Sequence, residues 1–211
     1  MRDRGTATAG SGPVTLAGTH VGATRASPLR GRRSMRLRGY DYAAAGLYFV
    51  TVCAYDRACL FGEVVDGQVQ LTDAGRILET CWRAIPDHCP HTTLDSWVVM
   101  PNHVHGIIVL GATHAGTIHV RALHAGTHVR ATHASPLRAG SLGAIVGSFK
   151  SAVTRRINAL RGGGGTVWQR NYHEHVIRNE RDLRRIRRYI ADNPVRWSLD
   201  RENPTPSTCP T

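Results

Sequence analysis

The chain has 211 residues, 41% apolar and 20% charged, with Lys+Arg 27 against Asp+Glu 15 and a formal charge of +12. That length suits one domain with appendages. No apolar run approaches the roughly 18–20 residues of a membrane span, and the N-terminus lacks the apolar stretch of a secretory signal; a membrane protein and a conventionally secreted one are set aside, and a cytoplasmic location is expected. Aromatics are only 6% of the chain, so the core must be mostly aliphatic. Of the 27 cationic residues only Lys150 is lysine. Arginine is the forked, always-charged donor suited to phosphate, and a basic surface gains affinity for nucleic acid through counterion release. Nucleic acid is therefore the expected partner. The five cysteines are odd in number and contain no CxxC pair, which argues against a zinc module and for reduced thiols.

Residues 1–31 read as a disordered, basic, low-complexity segment. Within it, Ala17–Arg30 (AGTHVGATRASPLR) matches Ala125–Arg138 (AGTHVRATHASPLR) at all but two positions. The second copy belongs to a low-complexity insertion, 111–140, whose short repeats lack an apolar pattern and so are not solenoid units. The insertion holds five of the twelve histidines, at irregular spacing. The ordered domain is expected over 32–204 apart from that insertion, with a disordered tail at 205–211.

Within the domain, Leu47–Ala54 is a strand by its aromatic and β-branched run. Asp66-Gly67 between apolar residues predicts a hairpin turn. Thr72 caps a helix whose apolar face is Ala74, Ile77, Leu78, Cys81, Trp82 and Ile85, with Pro86 and Pro90 bracketing its end. Leu94–Met100 and Val104–Leu110 are strands flanking a turn at Pro101-Asn102. After the insertion, Ser141 caps a second helix with Leu142, Ile145, Val146, Phe149, Val153, Ile157 and Leu160 inward. Gly162–Gly165 ends it, and Val167–Ile177 is extended or mixed. Arg181–Asp192 is a third helix, closed by Asn193-Pro194. Strands separated by helices and hairpins indicate an α+β sandwich with an antiparallel sheet.

Three groups of residues could carry chemistry. His103 and His105 lie at i and i+2 of a strand, so their imidazoles share one face and could share one metal ion. On the last helix, Tyr189 and Asn193 lie one turn apart, and Arg184, Arg185, Arg187 and Arg188 surround the phenol with charge that favours a phosphate. Trp168–His175 brings a second histidine pair, His173 and His175, with Tyr172 as a rival nucleophile and Arg170 and Arg178 beside it. Together these residues suit phosphodiester attack by a phenolate with metal assistance.

The motif Met100–Gly106 (MPNHVHG) resembles the His-hydrophobe-His motif of the single-tyrosine transposases, the IS200/IS605-like enzymes and their REP-associated branch. Arg32–Tyr42, Gly147–Arg156, Trp168–Tyr172 and Arg188–Pro194 resemble the REP-associated branch, so the similarity spans about 32–204 outside the insertion. The resemblance implies a ferredoxin-like α+β sandwich and an enzyme that nicks and rejoins single-stranded, hairpin-forming DNA through a 5′-phosphotyrosine. It implies Tyr189 as nucleophile, and His103, His105 and Asn193 as ligands of Mg²⁺ or Mn²⁺. Arg170, Arg178, Arg184, Arg185, Arg188, Lys150, Arg155 and Arg156 are the expected DNA contacts. The competing reading is a domesticated protein that holds a DNA or RNA hairpin without cutting; neither a monomer nor a homodimer is singled out.

Overall fold

Alternating aromatic and β-branched residues make Gly46–Cys53 the first strand, β1, which lies in the interior of a four-stranded sheet. A computed structural model describes residues 40–111, 139–199 and 203, all within one compact unit spanning Met35–Thr211. The N-terminal segment 1–31, the repeats of the insertion and the tail 205–211 lie outside the described residues. The hairpin signal corresponds to strands β2 (Gly62–Val65) and β3 (Gln68–Leu71). Its turn residues Asp66 and Gly67 have φ of 51° and 74°, the positive values that a type I′ turn requires.

Helix α1 (Asp73–Arg83) starts where expected, with the Thr72 hydroxyl accepting from Gly75 N at 3.1 Å. Pro86 does more than end it: lying in the first turn of a four-residue helix, α2 (Ile85–His88), it loses no hydrogen bond there. Strands β4 (Thr92–Met100) and β5 (His103–Leu110) form the next hairpin. Ser141 caps α3 (Leu142–Leu160), accepting from Ala144 N at 3.3 Å. Strand β6 is His173–Ile177, and α4 is Glu180–Asp192, capped by Asn179. Short 3₁₀ turns lie at Tyr55–Arg57 and Trp197–Leu199.

The sheet order is β4-β5-β1-β6, antiparallel throughout. Two β-α-β units interleave: β1-α1-β4 leaves a gap that β5 fills, and β5-α3-β6 leaves a gap that β1 fills. This is the ferredoxin-like arrangement, so the α+β class is as expected. Period-two alternation in β1 divides the core. Tyr48, Val50 and Val52 pack with Val104 and Ile108 against α1 and α3, through Leu78, Trp82, Phe149, Val153 and Ile157. Leu47 and Phe49 pack on the other face with Ile107, Val109 and Ile177, against Leu183, Ile186 and Ile190 of α4.

Gly106 ends the histidine motif for a packing reason. A Cβ there would lie 2.2 Å from Cζ2 of the fully buried Trp82. Gly106→Ala is expected to lower stability by about 1–3 kcal/mol, as overpacked cores do. A chemical-denaturation midpoint equal to that of the parent chain would overturn this.

Both ends of the insertion join one end of the sheet. Leu110 pairs with Gly46 at the start of β1, and Leu142 N donates to the Tyr42 carbonyl at 2.9 Å. His103 pairs with Cys53 at the other end of β1. The seven steps along β5 correspond to roughly 23 Å at about 3.3 Å per residue. Replacing 112–138 with a Gly-Ser linker is expected to leave the thermal unfolding midpoint unchanged, and a collapse of the transition would count against it.

One expectation needs correcting. Cys53, Cys81 and Cys89 form no disulfide, but Cys59 is disulfide-bonded. It lies in a half-exposed loop after the first 3₁₀ turn rather than in apolar packing.

Candidate active site

The β1–β5 register sets Thr51 opposite His105 and Cys53 opposite His103. Both imidazoles sit on the α4 face of the sheet, at 0% and 2% exposure. Their Nε2 atoms face one another at 2.9 Å. Behind them, Nδ1 of His103 meets Asn102 Oδ1 at 2.8 Å, and Nδ1 of His105 meets Thr51 Oγ1 at 2.8 Å. The Phe49 ring stacks on His105 with centroids 5.4 Å apart, so the pair rests on a rigid apolar base.

Helix α4 brings Tyr189 to this pair. Its hydroxyl lies 3.1 Å from His105 Nε2, and its ring packs edge-on to Phe49 at 6.0 Å. The residue is nonetheless 45% exposed, so a large substrate can reach it. Asn193, the C-cap one turn later, is 3% exposed, and its Oδ1 is a buried atom with no hydrogen-bond partner. A buried, unpaired amide oxygen calls for an explanation. Two neutral imidazoles and an amide oxygen are a fitting donor set for Mg²⁺ or Mn²⁺, and a cation would satisfy that oxygen.

Burial, reinforced by the neighbouring His103 and His173, holds the His105 imidazole well below its ordinary pKa of 6.5. The ring is therefore neutral at physiological pH, as ligation requires. The unfolded chain binds this proton first as pH falls. The metal-free protein should therefore keep the full contribution above about pH 6.5 and lose stability below it. Urea unfolding at pH 7.5 and 5.5 checks this, with His105→Gln expected to flatten the difference. An unaltered difference in the variant would overturn it.

Two attachments fix α4. A bulge in β4 between Leu94 and Trp97 presents Asp95. Arg187 donates to it from Nε at 2.9 Å and from Nη2 at 2.6 Å, holding that carboxyl below its usual range. At the helix start, Asp182 takes His175 at 2.7 Å and Arg185 at 2.6 Å. His173 and His175 share the sheet face of the first pair but are separated from it by β1. His175 is engaged with the helix, and exposed His173 stands opposite Thr51.

The expected DNA contacts divide. Arg184, Arg185 and Arg188 are exposed on α4, and Arg170 and Arg178 are exposed on either side of β6. Lys150 turns inward instead: its Nζ donates to the carbonyls of Gln169 and Arg170 at 2.6 and 3.3 Å, and burial pushes its pKa down. Arg155 and Arg156 ride on α3, against the opposite face of the sheet, where Arg156 Nη1 approaches Cys81 Sγ at 3.3 Å. These three residues are not brought to Tyr189. Tyr172 also packs against the core under α1 and α3. Sequence reasoning missed Phe49, Thr51 and Asp95. The same-face spacing of Phe49 and Thr51 was visible, but the strand that they would meet was not.

No protein-family model matches the chain. An uncharacterized protein of Haemophilus influenzae is 39% identical over 174 residues, covering 80% of this chain and 91% of that protein. A second Haemophilus influenzae protein, assigned as a REP-associated tyrosine transposase, is 22% identical over 165 residues, covering 74% of each chain. The solved structure of a REP-associated tyrosine transposase bound to a REP hairpin shares the fold, with a TM-score of 0.51 at 23% identity over 79% of this chain and 76% of that one. The chain is thus similar in sequence and in fold to REP-associated tyrosine transposases.

Proposed function

We propose that this chain is a REP-associated, IS200-like transposase that nicks and rejoins single-stranded, hairpin-forming DNA through a 5′-phosphotyrosine on Tyr189. The observation that carries the proposal is the Tyr189 hydroxyl at 3.1 Å from His105 Nε2, on the face that presents the histidine pair. The Tyr189 hydroxyl gives up its proton to solvent as its oxygen attacks phosphorus, the bond to the 3′ oxygen breaks, and that oxygen takes up a proton from solvent and leaves as a 3′-OH. The 5′-phosphate end stays on the tyrosine until a 3′-OH attacks it and reverses the step. An unassisted phenol is a weak nucleophile near neutrality, so the step needs help from charge on the phosphate side. The exposed Arg170, Arg178, Arg184 and Arg188 are suited to the strand's phosphates. Mg²⁺ or Mn²⁺, held by His103, His105 and Asn193, would polarise the scissile phosphate. The hairpin substrate fits the basic charge and the relative that is bound to a REP hairpin.

The test is incubation with end-labelled single-stranded hairpin DNA and Mg²⁺ or Mn²⁺, followed by a denaturing gel. A protein–DNA adduct together with a free 3′-OH fragment is expected. Tight binding with no adduct under either metal would overturn the enzyme reading in favour of a hairpin-binding protein.

A further inference from the structure

We propose that Thr51 and Asn102 are positioning residues that set the tautomers of the two histidines, so that both Nε2 atoms can turn lone pairs on one point; the proposal rests on the metal reading above. Asn102 is 1% exposed, and its Nδ2 donates to the Arg57 carbonyl at 3.0 Å. That bond fixes which way the amide points. Its Oδ1, which can only accept, is therefore the atom 2.8 Å from His103 Nδ1. His103 must carry its hydrogen on Nδ1, leaving Nε2 as a lone pair in the neutral ring. The Arg57 carbonyl comes from a turn in which Asp56 and Arg57 take φ of 53° and 55°, a conformation that non-glycine residues seldom adopt.

The other ring needs a partner that can change role. With a lone pair on His103 Nε2, the 2.9 Å approach of the two Nε2 atoms needs either a hydrogen or a cation between them. In the metal-free chain the hydrogen sits on His105 Nε2. His105 Nδ1 then accepts, and the Thr51 hydroxyl donates to it across 2.8 Å. With a cation between the rings, the hydrogen of His105 belongs on Nδ1, and Thr51 must accept. The ring stays neutral in both states: one hydrogen moves from Nε2 to Nδ1 by exchange with solvent, and the hydroxyl turns about its C–O bond. A hydroxyl does both without moving the side chain, and Thr51 is 7% exposed, so bulk water does not stand in for it.

The test compares full-length Thr51→Val, which keeps the shape and loses the hydroxyl, with Thr51→Ser, which keeps it. Mn²⁺ is the probe, its affinity read from the electron paramagnetic resonance of the free ion. Thr51→Val is expected to weaken Mn²⁺ binding by about 10–100-fold, the usual effect of losing a partner behind a ligand, and Thr51→Ser to stay close to the parent. Retained amide dispersion in the NMR spectrum controls for folding. Equal affinity in the parent and Thr51→Val, or equal losses in both variants, overturns the role of Thr51. Nitrogen-15 spectra of the metal-free rings provide an independent reading: hydrogen on Nδ1 of His103 and on Nε2 of His105 is expected, and the reverse pattern overturns the proposal. Should the parent chain take up no Mn²⁺, the metal reading falls, and the nitrogen-15 pattern alone decides whether Thr51 and Asn102 set the tautomers.

Discussion

Tyr189→Phe is expected to bind hairpin single-stranded DNA as the parent does and to form no covalent adduct, whereas Tyr172→Phe retains most of the cleavage. The variant loses one oxygen, so its ring still packs edge-on to Phe49. Binding should rest on phosphate contacts from exposed arginines, which the change leaves in place. Chemistry depends on the lost atom, since no phosphotyrosine forms without it. Tyr172 keeps its hydroxyl in the variant but packs against the other core, beneath the opposite face of the sheet. A nucleophile must be held within about 0.5 Å of its working position, which a residue on the wrong face does not approach. Peptide mapping of the trapped adduct checks this, and DNA attached to Tyr172 would overturn the assignment.

His103→Ala or His105→Ala is expected to lower nicking by on the order of 10³-fold, similar to the loss of a principal stabiliser of transition-state charge. EDTA should do the same to the parent chain, and added Mg²⁺ or Mn²⁺ should restore it. Each variant also strips a partner from a buried polar group, Asn102 Oδ1 in one case and Thr51 Oγ1 in the other. A stability loss of about 1–3 kcal/mol is therefore expected alongside the loss of activity. The assay belongs at a temperature where circular dichroism reports both variants folded. Robust cleavage by the parent chain in EDTA would overturn the role of the pair.

What the sequence reveals here is mainly what depends on local periodicity. The caps at Thr72 and Ser141, the Asp66-Gly67 turn, the shared face of His103 and His105, and the one-turn spacing of Tyr189 and Asn193 all follow from residues close together in the chain. Contacts between distant segments are hidden. Thr51 lies behind His105 only because β1 pairs with β5, and Asp95 reaches Arg187 only because a bulge re-aims it. The placement of Lys150, Arg155 and Arg156 away from Tyr189 has the same origin. The apolar stripe of α3 says which side of the helix meets the sheet, but it is silent on which face of the sheet receives it. The arginines of α3 and α4 look alike in the sequence and end on opposite sides of the domain.

The length of β5 has a consequence for how this chain can change. One strand carries the histidines at its first residues and the junction with the repeats at its last, roughly 23 Å away by the rise of an extended chain. A hydrogen-bonded strand is stiff along its axis, so material added at one end does not displace the other. Residues added at that junction lengthen the protein without passing through its chemistry. An insertion at the far end of β5 is therefore expected to leave the histidine pair where it is, with the strand acting as the spacer.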